Sequence, residues 1–287
     1  MKSKKGFTLI ELLVVISIIA LLMAILMPAL TKVREQAKTT ICMTNQNSLG
    51  TFLMIYTTDN NDSYPMGFDS TGSGCPRDGS WNFAIGQYMD RDGSLDGSAY
   101  RDKAELRACP SAPIKDNTIY SLGEGNRGWW TFWNSNPQDS LVHYGSYGFN
   151  RWMYDCPQSW PCAGAGRDGY QSGGSIEWNW KKSSTTKSAY NVPVLFDSWY
   201  SNTMPSDRDR PPQKSGQVYD GTSANQGMGM VCIDRHRNMS NNILFADMSI
   251  RKVGLKELWT LSWHRRFDTT TTYERWNNTS GWPDWLR

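Results

Sequence analysis

The first thirty residues, MKSKKGFTLIELLVVISIIALLMAILMPAL, constrain the chain more than any other stretch. A leader carrying Lys2, Lys4 and Lys5 precedes an apolar run from Phe7 to Leu30. As a helix rising 1.5 Å per residue, such a run is roughly 36 Å long, enough to cross a bilayer. Basic residues favour the cytoplasmic side, so the expected topology has the N-terminus inside and the body outside. An ordinary secretory signal would end in a small-residue cleavage site. None follows Leu30, where the chain runs on through helix-compatible Thr31 to Ala37. A plain anchor does not account for Glu11, which lies inside the apolar run. A carboxylate near a membrane core costs about 2.5–3.5 kcal/mol on insertion scales, so it needs a partner.

Lys5-Gly6-Phe7-Thr8-Leu9-Ile10-Glu11, followed by Leu12-Leu13-Val14-Val15, resembles the type IV prepilin signal, which type II secretion pseudopilins also carry. The resemblance implies that a prepilin peptidase cuts between Gly6 and Phe7 and that the new Phe7 amine is methylated. It implies that Glu11 pairs with the Phe7 ammonium of a neighbouring subunit. It also implies an inner-membrane, single-pass protein with its body in the periplasm, working with an assembly platform and polymerising with itself or other pilin-like subunits. Pairing between subunits suits the physics: each charge pays heavy desolvation alone, and the pair fixes the axial stagger of a helix bundle. Pro28 lacks a backbone donor and is expected to kink or locally open the helix; the resembled family has a proline at this distance from the cleavage site. Loss of the leader would leave 27 basic residues against 27 acidic, and the formal charge of +3 gives no case for nucleic acid.

The chain divides into a cleaved leader (1–6), a membrane and assembly helix (7–30), the external half of the same helix (31–58) and a globular body (59–287). Val33, Ala37, Ile41, Thr44, Ser48, Phe52 and Ile55 recur at helical spacing, with Leu49, Leu53 and Tyr56 beside them, and are expected to pack on the body. Gly50 weakens the helix by about 1 kcal/mol, and Asp59-Asn60-Asn61-Asp62-Ser63 ends it. Mean hydropathy is low (-0.57) because the body is polar and rich in Gly, Ser, Asn and aromatics. Short strands are expected at 118–122, 144–150, 192–197, 228–234 and 243–253, with a short amphipathic helix at 254–266. The fold class expected is α+β: one long N-terminal helix packed on an antiparallel sheet with long, disulfide-stapled loops.

A second resemblance covers the body in patches. Cys42, Asn45, Gln46, Leu49, Tyr56, Asp59, Asn60, Tyr64 and Pro65, then Cys109-Pro110, Ser146 to Asn150 and Arg235 to Asp247, look like the large H-x9-DG prepilin-type proteins of planctomycetes and relatives. This chain departs at the namesake motif: ten residues separate His236 from Asp247, and Met248 replaces the glycine. Glycine there would supply the positive φ of a tight hairpin, which methionine adopts only at a cost.

The cysteines are Cys42, Cys75, Cys109, Cys156, Cys162 and Cys232, all beyond the apolar run and so in an oxidising compartment. An even count in a loop-rich body reads as disulfides. Cys156–Cys162, closing a short loop, and Cys42–Cys109, clipping helix to body, are the pairings expected. A zinc site is the runner-up, since no C-x2-C or histidine cluster is present, and no metal is expected. Asp90 to Gly97 superficially resembles a calcium loop but departs from the EF-hand pattern, so a solvated turn is the simpler reading and calcium the lesser one. His236 near Asp234 and Asp247 could serve as a base or metal ligand, or be structural. Trp129, Trp130, Trp133, Trp178 and Trp180 either fill a body poor in aliphatics or form a glycan- or protein-binding face. No P-loop, nucleotide-binding glycine motif, metalloprotease motif or Ser-His-Asp spacing appears, so no enzyme is expected. The function expected is a pilin-like subunit, most simply a pseudopilin of a type II secretion-like system. The alternatives are a surface pilus subunit or a pilin-delivered adhesin. The Tyr56-x-x-Asp59-Asn60 to Tyr64-Pro65 pattern, which resembles major pseudopilins, favours secretion.

Overall fold

The computed structural model describes residues 8–67, 81–89, 104–112, 129–132, 142–156, 176–213, 227–271, 273–274 and 282–286. The long helix α1, Leu9–Asp59, runs without interruption for 51 residues, with Pro28 inside it. Proline leaves the Ala24 carbonyl without its usual donor, and the helix continues past it. At the far end Asn60 caps α1, and Asn61 and Asp62 take positive φ values of 55° and 61°. Asn and Asp accept the left-handed region more readily than other non-glycine residues, so the sequence-expected terminator acts as such.

Two short helices, α2 (Trp81–Met89) and α3 (Ala104–Arg107), pack against α1. Strands β1 (Trp129–Phe132) and β2 (Val142–Gly145) form an antiparallel pair. The main sheet is built from β3 (Tyr147–Asn150), β4 (Pro193–Asp197), β5 (Asn202–Thr203), β6 (Ser240–Phe245) and β7 (Ile250–Gly254), in the order β5-β3-β4-β6-β7. Its pairs are antiparallel except β3 with β5, so the α+β fold carries a mixed sheet rather than a purely antiparallel one.

The expected strand at 144–150 divides at Ser146, and the expected strand at 243–253 is a hairpin of β6 and β7. The expected strand at 228–234 begins instead as a 3-10 turn, Gly227–Met230, with Gly227 at φ 58°. Its glycines, at 227 and 229, favour a turn over an extended segment. The amphipathic helix contracts to a 3-10 turn, Leu255–Thr260. The expected strand at 118–122 and the candidate calcium loop lie outside the described residues.

The face of α1 that meets the body consists of Thr39, Cys42, Gln46, Leu49, Gly50, Leu53 and Thr57. This corrects the expected stripe: Leu49 and Leu53 pack inward, but Val33, Ile41 and Ile55 remain exposed, as does Met54. Close approach and polar partners set the docking face. A Cβ at Gly50 would lie 2.7 Å from Leu244 Cδ2, and Gln46 Nε2 donates to the Asn242 carbonyl at 3.0 Å. An aliphatic stripe could do neither.

Among the described residues, the tryptophans mostly fill the body. Trp81, Trp152, Trp199, Trp259 and Trp263 are fully buried, and Trp180 is nearly so. Each indole finds a backbone carbonyl, among them Trp81 to Ser201 at 2.7 Å, Trp152 to Pro205 at 2.8 Å and Trp263 to Leu258 at 2.7 Å. A large apolar ring with one donor thus anchors irregular loops that have little ladder bonding. Trp178 stacks on His264 at 4.8 Å. Trp129 and Trp130 lie in β1, but their side chains, like Trp133, are outside what is described.

Candidate functional site

Among the described residues, two places concentrate chemistry. The first is the start of α1. Thr8 is the N-cap, and its hydroxyl accepts from the Glu11 backbone N–H at 3.3 Å. Glu11 Oε2 in turn accepts from the Thr8 N–H and hydroxyl, both at 2.8 Å. This reciprocal capping box satisfies otherwise orphaned helix donors. Within one chain, then, Glu11 is held by the backbone N–H and hydroxyl of Thr8. Gly6 and Phe7 lie outside the described residues. From Leu9 to Leu30 the apolar side chains are exposed, and α1 is long and apolar enough by length and composition to cross a membrane.

The second place is buried where α1 crosses the sheet. Cys42 arrives on α1, Cys109 just after α3, Asp197 at the end of β4, and His236 on the loop before β6. Each offers one ligand atom, and these atoms all lie within 4.8 Å of one another. Asp197 Oδ2 stands 3.0 Å from His236 Nε2, and Oδ1 accepts from Arg235 Nη1 at 3.2 Å and from the Cys42 thiol at 3.4 Å. Cys109 Sγ is 3.6 Å from His236 Nε2, and the Asn242 amide nitrogen lies 2.9 Å from the same ring atom. Tyr147 donates its hydroxyl to Cys42 Sγ at 3.2 Å. Local structure fixes two of the members: Asn241 bonds the Asp197 backbone at both its N–H and its carbonyl, and the Ser146 hydroxyl accepts from the Cys109 N–H at 2.5 Å.

The charges follow from these contacts. Burial opposes ionisation of Asp197, but His236 and the Arg235 guanidinium outweigh it and hold the carboxyl below the usual carboxylate range. Burial likewise works against the His236 cation, and its bonds to Asp197 and Cys109 prevail, lifting it to about 10. Burial, the bond to Cys109 and the Asp197 charge push the Cys42 thiol well up. Burial would raise Cys109 too, but the bond from Cys42, with His236 and Arg235 nearby, brings it down to about 6. The contact between the two sulphurs thus favours ionisation at Cys109 over Cys42.

The structure brings Cys42 and Cys109 together as expected from the sequence, yet as unbridged thiols rather than a disulfide. Each sulphur is also engaged by the polar cluster, Cys42 with Asp197 and Cys109 with His236. Cys156 donates its thiol proton to the Met66 carbonyl at 2.7 Å; its expected partner Cys162, and Cys75, lie outside the described residues. Cys232 is a buried thiol whose ionisation burial opposes. His236, placed in the sequence beside Asp234 and Asp247, instead meets Asp197, 39 positions away. Asp197 had no sequence signal beyond ending an apolar strand. His264 lies buried between Trp152 and Trp178, where burial lowers it to about 4.

A family model for the prokaryotic N-terminal methylation motif matches residues 1–27. The type IV wide pilus major component PilA4 of Thermus thermophilus is 48% identical over 61 residues, which cover 21% of this chain and 47% of that protein. The chain thus spans about half the length of the relative it matches. No solved structure matches it. The motif and the relative support a type IV pilin-like protein.

Proposed function

We propose that this chain is a pilin-like structural subunit that is processed between Gly6 and Phe7, inserted through the first half of α1, and polymerised through that helix. The observation that carries the reading is the conjunction at one terminus of the methylation motif over residues 1–27 with a helix whose apolar side chains from Leu9 to Leu30 are left exposed by the body. Such a surface is stable only in lipid or against other helices. Glu11 supplies the register. In the isolated chain it caps its own helix; in the polymer it exchanges that weak cap for the methylated Phe7 ammonium of a neighbour. Burial among helices strengthens that attraction and penalises any stagger that leaves either charge alone.

Within this reading we favour a pseudopilin of a type II secretion-like system, on the Tyr56 to Pro65 pattern that ends α1. A surface pilus subunit is the second reading, favoured by the kind of filament that the relative's name describes. The polymer partners are further copies or other pilin-like subunits, served by a prepilin peptidase and an assembly platform in the membrane. The body carries no role as an enzyme in this account.

Substituting Glu11→Ala tests the core of the proposal. Membrane insertion and processing should be retained, while filament yield falls at least tenfold. An unchanged yield would sink the pairing role of Glu11.

A further inference from the structure

We propose that Cys42, Cys109, Asp197 and His236 bind one divalent metal ion, Zn2+ by preference, which fastens the external half of α1 to the sheet.

The donor set and its geometry carry this. Two thiolates, an imidazole and a carboxylate form a ligand set that suits tetrahedral zinc. With metal–sulphur distances near 2.3 Å and metal–nitrogen or –oxygen distances near 2.0–2.2 Å, the ligand atoms of such a shell stand roughly 3.3–3.8 Å apart. Here the His236 Nε2 separations are 3.0 Å to Asp197 Oδ2 and 3.6 Å to Cys109 Sγ, and the whole set fits within 4.8 Å. Shortening the widest separation by about an ångström, with a slight opening of the Asp197–His236 pair, closes the shell around an ion of this size.

The surroundings are arranged as a metal site requires. His236 Nδ1 lies 3.4 Å from the Thr39 hydroxyl, which spends its own proton on the Glu35 carbonyl at 2.9 Å. The Thr39 oxygen therefore accepts from Nδ1–H, which leaves Nε2 as the coordinating atom. A hydrogen-bond partner on the far ring nitrogen is the usual way a ligating histidine is oriented. The Ser111 backbone N–H donates to Cys109 Sγ at 3.4 Å, favouring the thiolate form that a metal needs. In the ion-free chain, hydrogen bonds link the four groups. The ion takes the place of those bonds and displaces the protons that the ligands share.

The charge balance closes as well. Two thiolates and the Asp197 carboxylate carry three negative charges, and Arg235, paired with Asp197, carries one positive. A divalent cation with neutral His236 brings the buried cluster to zero, and a buried site must come close to that. All four ligands are buried, with no open position for substrate. The site is therefore structural. Since Cys42 lies on the body-facing side of α1, the ion would tie the body to the helix that enters the polymer.

The competing use of the same atoms is a Cys42–Cys109 disulfide, which would remove both thiolates and leave His236 and Asp197 without an ion to bind. The two are mutually exclusive. The test uses the full chain, purified in detergent without chelator or reductant. Zinc is measured per chain, and the cysteines are mapped by alkylation under denaturing conditions. One zinc per chain is expected, with Cys42 and Cys109 recovered as thiols. Cys42→Ser or His236→Ala should abolish zinc, and Cys232→Ser should retain it. Should those variants fail to fold, Co2+ exchange into the unmodified chain decides. Thiolate-to-cobalt charge transfer and tetrahedral d–d bands, with Cys42 and Cys109 protected from alkylation, support the site. A Cys42–Cys109 disulfide, zinc retained in Cys42→Ser, or Co2+ bands without protection of these cysteines overturns it.

Discussion

Arg235 and Asp197 form an ion pair of 3.2 Å in which both side chains have no solvent exposure at all. Arg235 also donates to the carbonyls of Ser146 and Ser198, at 2.6 and 2.9 Å, so one guanidinium ties β4 to the start of β3. Breaking such a pair leaves an uncompensated buried charge. Asp197→Asn should therefore cost about 3–5 kcal/mol. By contrast, Glu35→Gln, which removes the partly exposed pair with Lys38, should cost about 0.5 kcal/mol or less. Denaturant unfolding of the two variants beside the parent checks the contrast, and equal costs would contradict the role given to Asp197.

The docking of α1 gives a second expectation. Gly50 lets the helix approach β6, with Leu244 packed where a side chain would be. Leu244 is fully buried and has little room to yield. Gly50→Val should therefore destabilise by about 1–3 kcal/mol through overpacking, against the usual penalty that glycine itself imposes on a helix. Thermal unfolding of the detergent-solubilised chain measures it; a higher midpoint would show that the helix is not held this closely.

Met248 gives the opposite sign. It occupies the hairpin turn between β6 and β7 at φ 67°, where its N–H bonds the Phe245 carbonyl at 2.9 Å. Holding a methionine there costs about 1–2 kcal/mol. Met248→Gly should recover part of this, about 0.5–1 kcal/mol after the loss of its partial packing on the core. A rise in the denaturant midpoint at unchanged slope is the expected reading.

Asp209 predicts a pH dependence. It is fully buried, accepting from the backbone N–H groups of Ser206 and Met228 at 2.8 Å each, and burial raises it to about 7 from an ordinary 3.8. Between those values the folded state holds a proton that the unfolded state releases, so stability falls as pH rises through this window. Asp209→Asn keeps an acceptor oxygen and removes the titration. The stability of the variant relative to the parent should rise from pH 4 to pH 7 and level off above it. A difference flat with pH would mean that Asp209 ionises as it does in water.

The N-terminal segment was legible because its signal is linear: charge, glycine, aromatic and acid fall at fixed offsets, and apolar length alone implies a spanning helix. Strand β4 and the end of α1 were legible for the same local reasons, an apolar run and a cluster of turn residues. The docking face of α1 was not, because the body selects small and polar groups at 39, 42, 46 and 50, and hydrophobic periodicity pointed to the neighbouring stripe. The buried cluster was half visible. Cys42 and Cys109 were paired on the sequence, but Asp197 and His236 reach them only through the order of strands in the sheet. Glycines at 227 and 229 turned an expected strand into a 3-10 turn, a case of local backbone freedom overriding apolar content.

The most direct test of the central claim is mass spectrometry of the chain's N-terminus in sheared surface material and in membranes. A peptide beginning at N-methylated Phe7 is expected, with the leader absent. Its abundance in the sheared fraction would support a surface filament, and its confinement to membranes a periplasm-spanning pseudopilin. Recovery of the unprocessed leader, or of an N-terminus beyond Leu30, would contradict processing and polymerisation through this helix.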